Sequence, residues 1–207
     1  MKLKSLIYLL SHDKNKILTK YFFRNFFSLS TRFIISLFKT TYTKKDGIYL
    51  FNIIDPEYIK KSSNLVIGFS FCEKPLECPS QRFTSKCKND PLSKICQTCP
   101  ISKYLKKINV KDYTIFFITT VNYIGEELIK IKNTNPNFLI IACPFSLKMF
   151  AHFSYILNLK GIGIPLEGPV CNNFKAFKLA EEGKKKAKTF ISNQLEEKLF
   201  FLCKKKI

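Results

Sequence analysis

Five of the eight cysteines of this 207-residue chain lie in one short stretch of sequence. They are Cys72, Cys78, Cys87, Cys96 and Cys99, in the segment FCEKPLECPSQRFTSKCKNDPLSKICQTC. Thiolates gathered in this way bind thiophilic metals, either zinc or the iron of an iron–sulfur cluster. The last pair forms a C-x-x-C motif, whereas the other spacings are irregular for a zinc ribbon. The stretch therefore predicts a metal–thiolate site.

Disulfide bonds and buried structural thiols are the alternatives to a metal. Disulfide frameworks belong mainly to small secreted domains, whereas this chain has 207 residues and a hydrophobic content of 46%. The first residues contain an apolar run that is too short for a secretory signal, so we expect a reducing, cytoplasmic location. In that compartment, closely spaced cysteines bind metal or act in catalysis more often than they form bridges.

Alternating strand-like and helix-like segments must position these cysteines. Short apolar runs predict five strands, at residues 48–54, 65–71, 113–120, 137–142 and 162–166. Helices are predicted at residues 101–108, 124–132 and 144–159, and a charged helical segment with a break at Gly183 is predicted from 174 to 201. Gly161 is expected to end the third helix in a left-handed conformation. The alternation predicts an α/β fold with a largely parallel sheet and flanking helices.

The remaining cysteines follow the ends of predicted strands. Cys72 and Cys143 come directly after a strand, and Cys171 lies five residues beyond another one. The carboxyl ends of parallel strands meet at one edge of the sheet, where ligand sites of open α/β sheets form. The cysteine-rich loop leaves the same edge. Seven cysteines are therefore predicted to converge as metal ligands, namely Cys72, Cys78, Cys87, Cys96, Cys99, Cys143 and Cys171. Cys203, in the lysine-rich tail, is expected to stay apart as an accessible thiol.

Three functional classes fit this pattern. More than four thiols favour an iron–sulfur cluster with extra ligands, or two sites, which gives an iron–sulfur protein with a redox or enzymatic role as the first expectation. A zinc-stabilised binding or scaffold module is the second. The third is a thiol enzyme with Cys143 as nucleophile, because the start of a helix lowers a thiol pKa. The sequence identifies no substrate and no reaction.

Residues 1–45 form a basic arm ahead of the predicted cysteine-rich α/β domain, which comprises residues 46–207. Large apolar side chains recur at helical spacing between residues 21 and 39, namely Phe22, Phe26, Leu29, Phe33 and Leu37. The opposite stripe is polar and contains Asn25, Ser28, Arg32, Ser36 and Lys39. This predicts an amphipathic helix that either packs on the domain or lies on an anionic membrane surface, since Arg24 and Arg32 interrupt any run long enough to span a bilayer.

The net charge of +20 is concentrated at the two ends of the chain. Residues 1–46 contain ten Lys and Arg against two Asp, and residues 175–207 contain ten against four Glu. No RNA-recognition, zinc-finger or helix-turn-helix signature accompanies this charge. Nucleic acid is therefore not the expected partner, and an anionic membrane surface is the partner considered for residues 21–39 as the alternative to packing on the domain.

Several motifs together resemble a known family. In chain order they are Cys72 after a strand, Cys78-Pro79, the C-x-x-C motif followed by Ile101, Ala142-Cys143, and Gly168-Pro169-x-Cys171-Asn172. This order, over residues 66–179, resembles the uncharacterised prokaryotic domain-of-unknown-function family numbered one hundred and sixteen. The resemblance implies a cysteine-rich, metal-binding cytoplasmic protein with no assigned reaction. The chain departs from the family pattern at residues 119–122, where a Thr-Gly-Gly turn is expected, and at Pro144, where an acidic residue is usual.

Overall fold

A six-stranded mixed sheet lies at the centre of the computed structural model, which describes residues 7, 8 and 10–204. The strands are β1 (Thr43–Lys45), β2 (Ile48–Phe51), β3 (Leu65–Ser70), β4 (Thr114–Ile118), β5 (Asn137–Ala142) and β6 (Lys160–Pro165), in the order β1-β2-β6-β5-β3-β4. Strands β6, β5, β3 and β4 are parallel, whereas β2 runs antiparallel to both β6 and β1. The predicted α/β fold with a mostly parallel sheet is confirmed.

Helices accompany the sheet, and the following ones have defined bounds. They are α1 (Ile17–Arg24), α2 (Phe26–Phe38), α3 (Lys94–Gln97), α4 (Pro100–Lys107), α5 (Val121–Lys130), α6 (Pro144–Ile156), α7 (Phe174–Glu181) and α8 (Asn193–Cys203). Pro100 and Pro144 each occupy the first position of a helix, where the missing N–H costs no hydrogen bond. Several short 3-10 turns complete the connections, including Phe71–Glu73 directly after β3.

Gly161 does not end a helix, contrary to the sequence prediction. It lies inside β6 opposite Phe138, and a Cβ at Gly161 would come within 2.3 Å of the Phe138 carbonyl oxygen. The left-handed residue after α6 is Asn158, with a φ of 54°. Asn tolerates this conformation better than other residues with a Cβ. The close approach of Phe138 to β6 therefore explains the glycine.

The charged segment from residue 174 onward forms two helices, α7 and α8. Gly183 has a φ of 75° just after α7, so the predicted break occurs at that residue. The chain between α7 and α8 then runs back to the sheet, where the N–H of Thr189 donates to the carbonyl of Cys72 at 3.0 Å. This return path brings a lysine-rich loop to the carboxyl edge of the parallel strands.

The basic arm forms two helices, so the prediction of one helix over residues 21–39 is wrong. The break falls at Asn25, between α1 and α2. One side of the arm packs on α5 and α6. Ser36, predicted on the outward polar stripe, is fully buried, and Arg32 donates to the carbonyl of Tyr155 at 3.2 Å. Residues 1–6 and 9 of the arm, and residues 205–207 of the lysine-rich tail, lie outside the described residues.

Candidate metal–thiolate site

Cys72, Cys143 and Cys171 form a buried group, here called the inner cysteine group. Cys72 lies in the turn after β3, Cys143 follows β5 as the N-cap of α6, and Cys171 lies beyond β6. The side chain of Cys143 interacts with those of both other cysteines, so Cys143 is the middle member of the group. The group lines a cavity of about 30 Å³. The three strand ends thus bring residues that are far apart in sequence into contact.

The surroundings of Cys143 favour a negative charge on its sulfur. The interaction with the side chains of Cys171 and Cys72 lowers the pKa of the Cys143 thiol, and the same interaction raises the pKa of the other two thiols. The ammonium of Lys185 donates to the Cys143 sulfur at 3.4 Å and stabilises the thiolate further. Since α6 starts at Pro144, the positive end of its dipole favours the same charge. These surroundings all favour the thiolate form of Cys143.

A second set of thiols surrounds the buried Lys74. Its ammonium donates to the carbonyls of Thr84 and Lys86, both at 2.7 Å. Burial lowers the pKa of Lys74, and the nearby sulfurs of three cysteines, Cys78, Cys87 and Cys99, oppose that shift. Cys96 is one turn away, because its carbonyl accepts from the N–H of Cys99 at 3.2 Å. We call Cys78, Cys87, Cys96 and Cys99 the outer cysteine group.

The contacts above relate the seven predicted ligands to one another as two groups, an arrangement that the sequence leaves open. All eight cysteines are free thiols. Within the described residues, no three or more His, Cys, Asp and Glu side chains are already arranged to hold a metal ion. Cys203 lies apart from both groups, but it is buried at the end of α8, where burial raises its pKa to about 12. The expectation of an accessible tail thiol at Cys203 is wrong, because its helix packs against the core.

Glu73 adds a buried carboxyl group next to Cys72. Its side chain is fully buried, and neither carboxyl oxygen has a hydrogen-bond partner among the described residues. Burial raises the pKa of Glu73 well above its usual range, the charge on Cys143 raises it further, and Lys188 opposes both. A buried polar group without a partner is costly, and each such group calls for an explanation. A fourth donor beside three thiols is such an explanation.

Arg82 connects the two groups through backbone carbonyls. Its guanidinium donates to Lys74 at 3.0 Å and to Cys72 at 3.2 Å, next to the two cysteine groups. It also donates to three consecutive carbonyls of the loop between α7 and α8, those of Lys185, Lys186 and Ala187. The donor fork of a single arginine therefore holds the cysteine-rich loop against the segment that carries Lys185.

A much larger cavity of about 1210 Å³ opens beside the outer group. Cys87, Thr120 and Glu181 belong to its lining, and Glu181 also lines the small cavity of the inner group. The carboxylate of Glu181 accepts from the N–H of Val121 at 3.0 and 3.2 Å. Burial raises the pKa of Glu181 to about 8, and the bond from Val121 opposes that shift. A group that titrates near neutral pH thus separates the two cavities.

Four residues near the cysteine groups, Glu73, Lys74, Arg82 and Lys185, are not predicted from the sequence. Lys74, Arg82 and Lys185 are three of 35 Lys and Arg, and nothing in the sequence distinguishes them from surface residues. Glu73 carries one signal, its position directly after Cys72 at a strand end. An acidic residue there could have been considered as a donor.

Comparison of the chain with protein-family models, with curated proteins and with solved structures gives no match. The resemblance to the domain-of-unknown-function family stays a prediction, and its support is the order of the motifs. Function has to be argued from the two cysteine groups and their surroundings.

Proposed function

We propose that this is a metal–thiolate protein that holds metal in both cysteine groups. The observation that carries the proposal is the contact among Cys72, Cys143 and Cys171, which three separate strand ends deliver to one buried position. Cysteine often packs as a small hydrophobic residue, but such packing needs no cation beside it. Here each group has its own buried or partly buried lysine, Lys185 or Lys74.

The lysines support the proposal because buried charges need partners of opposite sign. Lys74 donates to neutral carbonyls, so its charge is not balanced by a carboxylate in the described contacts. A centre with four thiolates carries a net negative charge for zinc and for common iron–sulfur clusters alike. Lys74 and Lys185 would balance that charge once the thiols are deprotonated and the metal is bound.

The donor sets differ between the two groups. The outer group offers four sulfurs, from Cys78, Cys87, Cys96 and Cys99, which suits a four-thiolate site. The inner group offers three sulfurs, and Glu73 next to Cys72 has an unpartnered carboxyl group that could complete it. Because the donor atoms do not yet surround a common point, metal binding has to be coupled to side-chain rearrangement.

We propose an iron–sulfur cluster with a redox or enzymatic role as the resident group, and a zinc-stabilised scaffold as the alternative. An iron–sulfur cluster supplies electron transfer when bound, whereas zinc would staple the cysteine-rich loop to the sheet. In both cases the protein contributes the thiolates, the lysines that balance their charge, and the dry surroundings of β3 and β5.

A second candidate function is thiol catalysis by Cys143. It is favoured by the lowered pKa of this thiol and by its position at the start of α6. The cavity beside the inner cysteine group has a volume of about 30 Å³, which is about the share of one water molecule in the liquid. A substrate could reach the sulfur only after the site opens, and this ranks catalysis behind metal binding.

Anaerobic purification with metal and sulfide analysis and a visible spectrum tests the proposal. We expect either iron with sulfide and the corresponding visible absorption, or zinc without colour, in near-stoichiometric amounts. Colourless protein without bound metal, with thiols that titrate readily, would contradict the proposal. Rapid alkylation of Cys143 in metal-loaded protein would instead favour thiol catalysis.

Three serine variants separate the two groups. Cys99→Ser should lower the metal content of the outer group, and Cys143→Ser that of the inner group. Cys203→Ser is the matched control, because Cys203 is also buried but belongs to neither group. We expect full metal content in this control. If Cys99→Ser and Cys143→Ser abolish the same single centre, the assignment of two sites is wrong.

A further inference from the structure

The basic arm has a second apolar face, which is exposed among the residues that the structure describes. Leu18 and Leu29 are buried where α1 and α2 pack on α5 and α6. On the outward side, however, Phe23 is 70%, Phe27 92% and Phe38 82% exposed. Phe27 and Phe38 lie eleven residues apart on α2, which places them on one side of the helix. Large apolar side chains exposed to this extent on one side of a helix indicate an interaction surface.

Basic side chains accompany these phenylalanines, and acidic ones do not. Residues 14–45 contain eight Lys and Arg and no Asp or Glu. Lys20 and Arg24 are exposed on α1 around Phe23, and Lys39 is exposed directly after Phe38. The outward face of the arm is thus apolar and exclusively basic. Its charge is complementary to an anionic surface.

The lengths of the helices limit how this face could meet a membrane. Helix α2 has 13 residues and α1 has 8. A helix of 13 residues measures about 20 Å, which is less than the apolar thickness of about 30 Å of a bilayer. Among residues 7, 8 and 10–204, no helix qualifies as a membrane span. Helices with a basic and an apolar side of this kind lie in the plane of the interface.

We propose that the outward face of α1 and α2 binds the surface of anionic phospholipid membranes. Phe23, Phe27 and Phe38 enter the boundary between headgroups and acyl chains, and Lys20, Arg24 and Lys39 contact lipid phosphates. The other side of the arm stays packed on α5 and α6, so the helices need not detach in order to bind. This inference is independent of the proposed metal sites, because none of these residues belongs to either cysteine group.

Sedimentation of the full-length protein with vesicles tests the inference. The vesicles consist of phosphatidylcholine alone or of phosphatidylcholine with phosphatidylglycerol. We expect binding to the anionic vesicles, and release in about 1 M NaCl, where the screening length falls to about 3 Å. Equal binding to both kinds of vesicle, or no binding to either, would overturn the inference.

A pair of double variants tests the role of the phenylalanines. Phe27→Ser with Phe38→Ser should weaken binding to anionic vesicles by about tenfold or more, since each buried phenylalanine contributes substantially. Ile54→Ser with Leu92→Ser is the matched control, because these side chains are 91% and 89% exposed outside the arm. The control should bind as the unmodified protein does. Equal loss in the two double variants would reject the arm as the binding surface.

A second pair tests the position of the charge. Lys20→Glu with Arg24→Glu should weaken binding and flatten its salt dependence. Lys111→Glu with Lys175→Glu changes the net charge by the same amount at exposed positions outside the arm, and should have a much smaller effect. Similar losses in both would show that overall charge governs binding, and would overturn the assignment to the arm. Metal content and circular dichroism, measured on the same samples, verify that each variant is folded.

Discussion

Glu73 and Glu181 are two carboxyl groups near the inner cysteine group. They differ in their hydrogen bonds, and this difference indicates different roles. Glu181 accepts from the first N–H of α5 and so caps that helix. Glu73 is fully buried, and its oxygens have no hydrogen-bond partner in the part of the chain that the structure describes. We therefore infer a structural role for Glu181 and a ligand role for Glu73.

Replacement of Glu73 by glutamine tests that ligand role. Gln has the same shape, but it is a weaker donor to a metal. Glu73→Gln should lower the metal affinity of the inner group by about tenfold or more. In the metal-free protein the unfolding free energy should change by less than about 1 kcal/mol, since the variant retains the packing. Chelator competition measures the affinity, and an unchanged value would remove Glu73 from the donor set.

The raised pKa of Glu181 predicts that the stability of the protein depends on pH. Burial raises its pKa from 4.5 to about 8, so the folded protein keeps a proton that the unfolded chain loses. Its stabilising contribution is full below pH 4.5 and is lost as the pH rises to about 8. The slope from one proton is at most about 1.4 kcal/mol per pH unit. Glu181→Gln should remove this slope from urea unfolding curves of metal-free protein.

The neighbouring Glu182 provides the control for this measurement. It is exposed, and its hydrogen bond with Lys184 lowers its pKa instead of raising it. Glu182→Gln should therefore leave the slope between pH 4.5 and 8 intact. The assignment to Glu181 fails if both variants have the slope of the unmodified protein.

At the scale of single residues, the sequence predicts which cysteines follow strand ends but not which ones meet. The strand-end argument brings Cys72, Cys143 and Cys171 to one edge, and the structure has them there. The division into two groups depends on the path of the loop between residues 73 and 99, which has no regular periodicity. The positions of Lys74 and Lys185 beside the thiols depend on that same path. They therefore cannot be predicted from composition or from spacing.

At the scale of elements, the interiors of strands and helices are predictable and their ends are not. Strand β5 has the predicted bounds, 137–142, because its continuous apolar run lies between turn residues. Strand β2 ends at Phe51, three residues early. Asn52 adopts a φ of 53°, and its side chain donates to the carbonyls of Ser154 and Leu159 near the end of α6. Such a long-range contact leaves no local sequence signal.

The hairpin of β1 and β2 is another feature that the sequence indicates only in part. Polar residues 40–47 predict a turn and a boundary, but the structure has an edge strand there as well. Asp46 and Gly47 have φ values of 50° and 83°, which fits the two-residue turn that antiparallel hairpins favour. The Asp-Gly pair carries this signal, whereas the short β1 is polar and exposed, and so has no apolar alternation.

Gly161 provides a test of strand packing. A methyl group at this position would meet the Phe138 carbonyl oxygen at 2.3 Å and its ring at 2.5 Å. Because backbone of a neighbouring paired strand cannot move aside locally, Gly161→Ala should lower the unfolding free energy by about 3 kcal/mol. Gly47→Ala is a comparison, with a cost of about 1 kcal/mol that arises from its φ of 83°. Equal costs in urea unfolding would contradict the packing explanation.

At the scale of the whole molecule, the basic arm and the cysteine edge share a cavity. His12 and Asn15, which precede α1, line the large cavity together with Cys87 of the outer group. Asn15 donates to Glu126 of α5 at 2.7 Å, and this bond fixes the start of the arm against the cavity wall. The arm that we propose to bind membranes and the proposed metal site of the outer group thus border the same cavity. Neither the shared cavity nor the hydrogen bond between Asn15 and Glu126 can be predicted from the net charge of the chain.

Arg82 is the other connection on this scale, because it joins parts of the chain that form both cysteine groups. Its donors meet carbonyls of Cys72 and Lys74 on one side and of residues 185–187 on the other. A lysine has three donors on one nitrogen and cannot reach carbonyls spread over this arc. Arg82→Lys should therefore lower the unfolding free energy of metal-free protein by about 3 kcal/mol. It should also lower the metal content of both groups together, because the segment that carries Lys185 loses its attachment.

Urea unfolding and metal analysis of the same samples measure the two effects of Arg82→Lys. Arg24→Lys is the matched control, since Arg24 is exposed on α1, and its replacement should change neither quantity. Loss of metal from one group alone would mean that Arg82 serves a single site. Full metal content and full stability in Arg82→Lys would mean that the packing of the cysteine-rich loop itself holds it in place. The contact between Phe83 and Phe71, with ring centres 4.9 Å apart, would then be the next candidate for that packing.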